Sequence, residues 1–267
     1  MIIYTAGPSD VHLKYVTERV PLLYSYYYLN DKKFNEVIKW TDDFFLDSGA
    51  FSAKTQGVKI DIDKYIEFIK QYKDKMSVYA ILDSIGDWKK TEENQNYMES
   101  KGINPIPCYH YGEPINQLKK MVANYKHIAI GGMAVNTGFK IDFLDDCFDI
   151  ICNSDGTPKI KVHGFGMTIV DLVKKYPWYS VDSTSSILSS AMGNIFSKEG
   201  RIIKLAQNAI ITEQDRKYIK ENYEYTLEEL RDSYKKRCGI NIIFFQDLAK
   251  ELTDNPPRFI NKQLKLF

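Results

Sequence analysis

Trp178-Tyr179-Ser180-Val181-Asp182-Ser183-Thr184 is a short apolar run that stops at a carboxylate followed by small residues. Phe44-Phe45-Leu46-Asp47-Ser48-Gly49 and Val78-Tyr79-Ala80-Ile81-Leu82-Asp83-Ser84 end the same way. Each reads as a buried strand with an aspartate at its carboxyl end. Further strand-like runs occupy 1–5, 20–28, 104–110, 127–132 and 160–165, although Tyr24 to Leu29 also suits a helix. Amphipathic stretches lie between most of them. In Ile62 to Tyr72 the apolar residues recur at three- and four-residue spacing, as on one helix face. Residues 88–101 form a polar helix that Lys101-Gly102 stops, and Pro114 opens another over 115–125. Thr168 is expected to cap a helix that Pro177 ends.

Eight strands alternating with helices predict an α/β fold, a (β/α)8 barrel, with a doubly wound open sheet as the alternative. Both architectures collect functional residues at the carboxyl ends of their strands. Asp47, Asp83, His110, Gly131, Gly132, Gly164, Gly166 and Asp182 all fall there. The texture changes near residue 190. Residues 1–190 read as the barrel and 191–267 as a helical appendage packed on it. That appendage has helical spacing over 212–237, a stop at Gly239, a short helix over 242–252 and a basic, flexible tail from Pro256.

The 267 residues carry 36 basic and 35 acidic side chains, so no global nucleic-acid signature exists. Local basic faces remain candidates for phosphate contact, among them Lys174, Lys175, Arg201, Lys236 and Arg237, beside the plainer reading of solvated helix faces. Asp145, Asp146 and Asp149 also read as a solvated face, and Asp42 and Asp43 as surface residues. Four cysteines, none in a C-x-x-C pair, argue against a structural zinc. Without a signal-peptide pattern or an apolar run of membrane-spanning length, a reduced, cytoplasmic protein with no membrane association is the expectation.

Strand-end aspartates suit three chemistries. They can attack an anomeric carbon and handle protons, ligate a metal in hydrolysis, or support aldol and decarboxylase chemistry with a strand-borne lysine. His110 and His163 are the histidines a metal would use, and a hydrogen-bonded rim or core role is the plainer reading of each. The order of the fragments says more. Asp47-Ser48-Gly49-Ala50-Phe51, Asp83, Ile128-Ala129-Ile130-Gly131-Gly132-Met133-Ala134-Val135, His163-Gly164-Phe165-Gly166 and Val181-Asp182-Ser183-Thr184 together resemble the guanine transglycosylases. These comprise the tRNA-guanine transglycosylases and the related phage and bacterial DNA-guanine transglycosylases, barrels that exchange guanine for a 7-deazaguanine. The resemblance covers about half the chain, from Asp47 to Thr184.

The resemblance implies roles position by position. Asp182 corresponds to the nucleophile that attacks C1′, and Asp47 to the general acid/base. Ser48, Gly49 and Phe51 belong to the loop around the base. Asp83 corresponds to the aspartate that accepts from the guanine edge. Gly131, Gly132 and Met133 correspond to the segment whose backbone faces the base, and Gly164 and Gly166 to the last glycine turn before the nucleophile strand. Phe51 and Met133 would cover the flat base. The chemistry implies no metal and no redox cofactor. The partners implied are DNA and a free 7-deazaguanine such as 7-cyano-7-deazaguanine, with a homodimer possible in such barrels.

Several positions depart from the family pattern. Ala50 and Ser52 replace a glycine and a glutamine, and Tyr109-His110-Tyr111-Gly112 replaces a Gln-Gly-Gly element, which brings His110 forward as a base donor. Ser183 to Ser186 stand where Pro-Thr-Arg follows the nucleophile. The tRNA enzymes' zinc subdomain is missing, since residues 190–267 hold one cysteine, Cys238, and no histidine. That loss and the short length favour DNA over tRNA as the expected substrate.

Overall fold

The apolar runs become eight parallel strands in the computed structural model, which describes residues 1–16, 18–132, 140–167 and 169–260. They are β1 (Ile2–Ala6), β2 (Leu22–Ser25), β3 (Phe44–Asp47), β4 (Val78–Tyr79), β5 (Cys108–His110), β6 (His127–Gly131), β7 (Lys161–Gly164) and β8 (Ser180–Ser183). Their hydrogen-bonded order is β4-β3-β2-β1-β8-β7-β6-β5. A parallel bridge between Ala80 and Ile106 joins the two ends, through Ile106 N–H to Tyr79 O (3.0 Å) and Ile81 N–H to Ile106 O (3.1 Å). The strand order is cyclic and has no switch point, so the fold is a (β/α)8 barrel rather than an open doubly wound sheet.

The helices are α1 (Asp10–Leu13), α2 (Asp31–Val37), α3 (Ala50–Thr55), α4 (Ile62–Tyr72), α5 (Trp88–Ser100), α6 (Ile115–Asn124), α7 (Lys140–Ile151), α8 (Val170–Lys175) and α9 (Ser185–Ala191). Helix α4 shows how the sequence builds them. Asp61 caps it by accepting from the backbone of Asp63 and Lys64, and Tyr65, Ile66, Phe68, Ile69 and Tyr72 are buried. The ambiguous second run resolves into both states: β2 ends at Ser25, and Tyr26–Tyr28 makes one 3-10 turn. Tyr26 of that turn packs its ring on Tyr65 and Phe68. Thr168, the expected cap of α8, lies outside the described residues.

Register fixes which side chains face inward. Cys108 pairs with Ala129, Ala129 with His163, His163 with Ser180, and Asp182 with Tyr4. Because alternate residues share a face, this row fills the barrel, and Tyr4, Phe45 and His163 meet edge to face there. Ile3, Ile128, Val162 and Val181 point outward into the layer under the helices.

Beyond α9 the chain is not purely helical. An antiparallel hairpin, β9 (Asn194–Phe196) and β10 (Ile202–Lys204), precedes α10 (Glu213–Asn222), α11 (Leu227–Asp232) and α12 (Tyr234–Asp254). Gly239 does not stop a helix. It lies inside α12, where a Cβ would come within 2.8 Å of Tyr15 Cβ and 2.9 Å of its carbonyl. The glycine is there so that α12 can approach the segment after α1 closely. Phe244, Phe245 and Leu248 of α12 join the cluster that holds Ile3 and Val181, and Gln246 donates to Ile3 O (3.1 Å). Asn241, fully buried, accepts from Phe196 N–H (2.8 Å) and donates to Ser190 Oγ (2.8 Å) and Asn194 O (3.1 Å). As far as Ile260 the tail is docked rather than free, because Phe259 is buried against Phe148 and Tyr176 and bonds Gly156 O (3.1 Å).

Candidate active site

Asp182 is the inward residue near the carboxyl end of β8 and is buried. Its Oδ1 accepts the Gly166 N–H at 2.8 Å and faces His163 Nε2 at 3.3 Å. His163 Nδ1 lies 2.9 Å from Ser180 Oγ. Burial lowers the His163 pKa from 6.5, against the opposing pull of Asp182, so the ring is neutral at pH 7. A neutral ring satisfies both contacts in one way: Ser180 O–H donates to Nδ1, and Nε2–H donates to Asp182. Ser180, His163 and Gly166 thus fix the orientation of one carboxylate.

Asp47 ends β3. Gly49 N–H donates to its Oδ2 at 3.0 Å, in a turn where Gly49 has φ +78°. A Cβ on Gly49 would fall 2.1 Å from Ser25 Oγ and 2.6 Å from Tyr27 Cβ, so the turn needs glycine twice over. Burial first, then the charges of Asp182 and Asp83, push the Asp47 pKa from 3.8 up to about 7, against the backbone N–H groups of Gly49 and Ser48. The electrostatics therefore tie Asp47 to the other two aspartates, and it exchanges its proton near neutrality.

Asp83 follows β4 and meets β5. Its Oδ2 lies 3.4 Å from His110 Nε2. His110 Nε2 is also 3.5 Å from Cys108 Sγ, and its Nδ1 is 3.1 Å from Glu113 Oε1. Burial opposes a charge on His110, and the balance of its neighbours, a Cys108 thiolate and the Asp83 carboxylate, raises its pKa above 6.5 only in so far as they carry charge. Cys108 is itself pushed up to about 12 by burial. It is thus a neutral thiol at pH 7, and the carboxylates are the anions that stabilise a protonated His110. The Asp83, Cys108 and His110 ligand atoms all lie within 4.8 Å of one another.

The remaining predicted residues divide. Ser48 is buried beside Asp47, whereas Phe51 is exposed at the start of α3. Gly131 faces the His110 and Cys108 side chains, and a Cβ on Gly132 (φ +77°) would lie 3.0 Å from Tyr111 N. Gly164 points outward, where the Trp178 ring leaves 3.0–3.3 Å for a Cβ, so packing explains that glycine. Gly166 supplies the N–H to Asp182. Met133, with Ala134 to Thr137, lies outside the described residues. Sequence reasoning assigned no role to Cys108, Glu113 or Ser180. Their signal is parity: Cys-x-His on β5 and Ser-x-Asp on β8 each put two polar side chains on the inner face.

The charged surface also differs from its reading. Asp145 is buried and bonded by Lys175 Nζ (2.8 Å) and Tyr176 Oη (2.6 Å), because it packs under α8. Asp43 accepts from Tyr4 Oη (2.9 Å). Arg237 is buried and donates to Ser190 O and Leu230 O, which removes it from the phosphate candidates. Lys174 faces Glu251, Arg201 faces Asp215 and Lys236 faces Glu229. A cleft of about 710 Å³ opens beside Asp83, with Lys54, Lys59 and Lys90 in its wall. No helix among the described residues is long and apolar enough to cross a membrane.

No protein-family model matches the chain, and no curated protein matches it. Among solved structures it is similar to the YdjI aldolase from Escherichia coli K12, at 9% identity and a TM-score of 0.38, over 98% of this chain and 93% of that one. The barrel assignment rests on this chain's own strand order.

Proposed function

We propose that the chain is a base-exchange glycosyltransferase that replaces guanine in DNA with a 7-deazaguanine through a covalent Asp182–sugar intermediate. The supporting observation is the coupling of Asp47 to both Asp182 and Asp83, with its pKa near 7. A two-step exchange needs one carboxylate ionised as nucleophile and a second that gives and takes a proton at working pH. Asp182 attacks C1′, the glycosidic bond breaks, and Asp47 gives its proton to the departing guanine. Asp47, now ionised, removes the N9 proton of the incoming base as that base attacks C1′ and releases Asp182. Both carboxyl groups end as they began, and the configuration at C1′ is retained.

Ser180 and His163 hold Asp182 in line, and the water-poor barrel interior strengthens each contact. The target nucleotide must leave the stack to reach the barrel mouth. Lys59, in the wall of the cleft beside Asp83, suits a phosphate that flanks it, whereas Lys54 donates to Ile85 O and Lys90 pairs with Glu93.

The test is transfer of radiolabelled 7-cyano-7-deazaguanine into single-stranded DNA, duplex DNA and tRNA by the purified protein. Label in DNA that is lost in Asp182→Ala supports the proposal. Label in tRNA alone moves the activity to RNA, and label in none of the three defeats the exchange reading.

A further inference from the structure

The seam where the barrel closes carries a second chemical opportunity. Cys108 and His110 are two residues apart on β5, and Ala80↔Ile106 and Cys108↔Ala129 pairing places both on the inner face. Asp83 reaches them from the adjoining end of β4. A tetrahedral zinc ion binds sulfur at about 2.3 Å and nitrogen or oxygen at about 2.0–2.1 Å, which sets neighbouring ligand atoms about 3.3–3.6 Å apart. The Sγ–Nε2 separation of 3.5 Å and the Nε2–Oδ2 separation of 3.4 Å are two such edges.

Three independent features surround this triangle. His110 turns its Nδ1 to Glu113 Oε1 at 3.1 Å, the outer carboxylate that orients metal-binding imidazoles and leaves Nε2 for the ion. Asp83 Oδ1 is buried without a hydrogen-bond partner among the described residues, a costly state for a carboxylate oxygen. Gly131 gives the cluster its room, since a Cβ there would lie 2.9–3.1 Å from His110 Cδ2, Cys108 Sγ and His110 Nε2.

We propose that Asp83, Cys108 and His110 form a mononuclear site for a zinc-class divalent transition metal. A sulfur, nitrogen and oxygen donor set suits Zn²⁺ or Co²⁺ and disfavours Mg²⁺ and Ca²⁺, which want oxygen alone. Binding displaces the Cys108 thiol proton and the Nε2 proton of the protonated His110, and releases both to solvent. Three protein ligands leave the fourth tetrahedral position to water or a substrate atom. The site stands on its own geometry and does not depend on the base-exchange reading.

The 267-residue chain, stripped of metal with a chelator, is titrated with Co²⁺ and followed by absorption. One equivalent should bind, with the visible bands of tetrahedral cobalt and a near-ultraviolet thiolate-to-metal band, and Zn²⁺ should displace it. Cys108→Ser should abolish the thiolate band. Glu113→Gln should weaken Zn²⁺ binding about 10-fold, within the range for outer-shell changes, and Cys238→Ser should alter neither. Failure of the wild-type chain to take up one equivalent of Co²⁺ or Zn²⁺ overturns the proposal. So does a thiolate band that survives in Cys108→Ser.

Discussion

Replacing Asp47 with Asn should make the protein more stable, and the gain should grow with pH. The folded chain carries the Asp47 pKa from 3.8 to about 7, so it holds that proton more tightly than the unfolded chain does. Below 3.8 both states are protonated and Asp47 adds no penalty. From there to about 7 the unfolded state ionises first, and stability falls as pH rises. Above about 7 the penalty is complete. At about 1.36 kcal/mol per tenfold change in proton affinity, a shift of that size costs the ionised protein roughly 4 kcal/mol. Asp47 keeps some solvent contact, which trims the expectation to about 2–4 kcal/mol. Asn retains an oxygen for the Gly49 N–H, so the turn survives. The assay is urea unfolding of both proteins by circular dichroism from pH 4 to pH 8, in which other titrating groups largely cancel. The Asn advantage should rise by about 2–4 kcal/mol across that range. A difference that stays constant with pH refutes the assignment of a raised pKa to Asp47.

Other expectations follow from the same contacts. Because the first half-reaction needs protonated Asp47, the exchange rate measured across pH should fall about tenfold per pH unit above roughly 7. Ser180→Ala frees the His163 ring, so kcat should drop about 10- to 100-fold with KM nearly unchanged, as steady-state kinetics would show. Gly49→Ala meets Ser25 Oγ at 2.1 Å with φ +78°, and should cost about 2–4 kcal/mol in denaturant unfolding. Asn241→Ala strips the buried partners of Phe196 and Ser190, and should cost about 2–4 kcal/mol by the same assay.

The barrel was legible because strands such as Phe44-Phe45-Leu46 and Ile128-Ala129-Ile130 are buried apolar runs, and helices α2, α4 and α5 open on side-chain caps. Asp47 and Asp182 were legible at the ends of β3 and β8, a local property, whereas Asp83, expected to close its strand, lies four residues past β4. What local reading missed depends on neighbours distant in sequence. Gly239 looks like a helix stop until Tyr15 is seen against α12. Asp145 follows the pattern of a solvated face but packs beneath Tyr176. The hairpin β9–β10 has strands of three residues, too short for periodicity to register. Cys108 carried no motif by C-x-x-C counting, yet its parity with His110 on β5 brings it to Asp83. The inward-facing pairs were accessible from alternation alone, once the strands were placed.

Trapping the covalent intermediate tests the central claim most directly. The protein is incubated with a guanine-containing oligodeoxynucleotide, quenched in acid and weighed intact by mass spectrometry. A mass increase equal to the oligonucleotide less its guanine should appear in the wild-type chain and vanish in Asp182→Ala. No adduct in the wild-type chain, or one that persists without Asp182, contradicts the role given to that carboxylate.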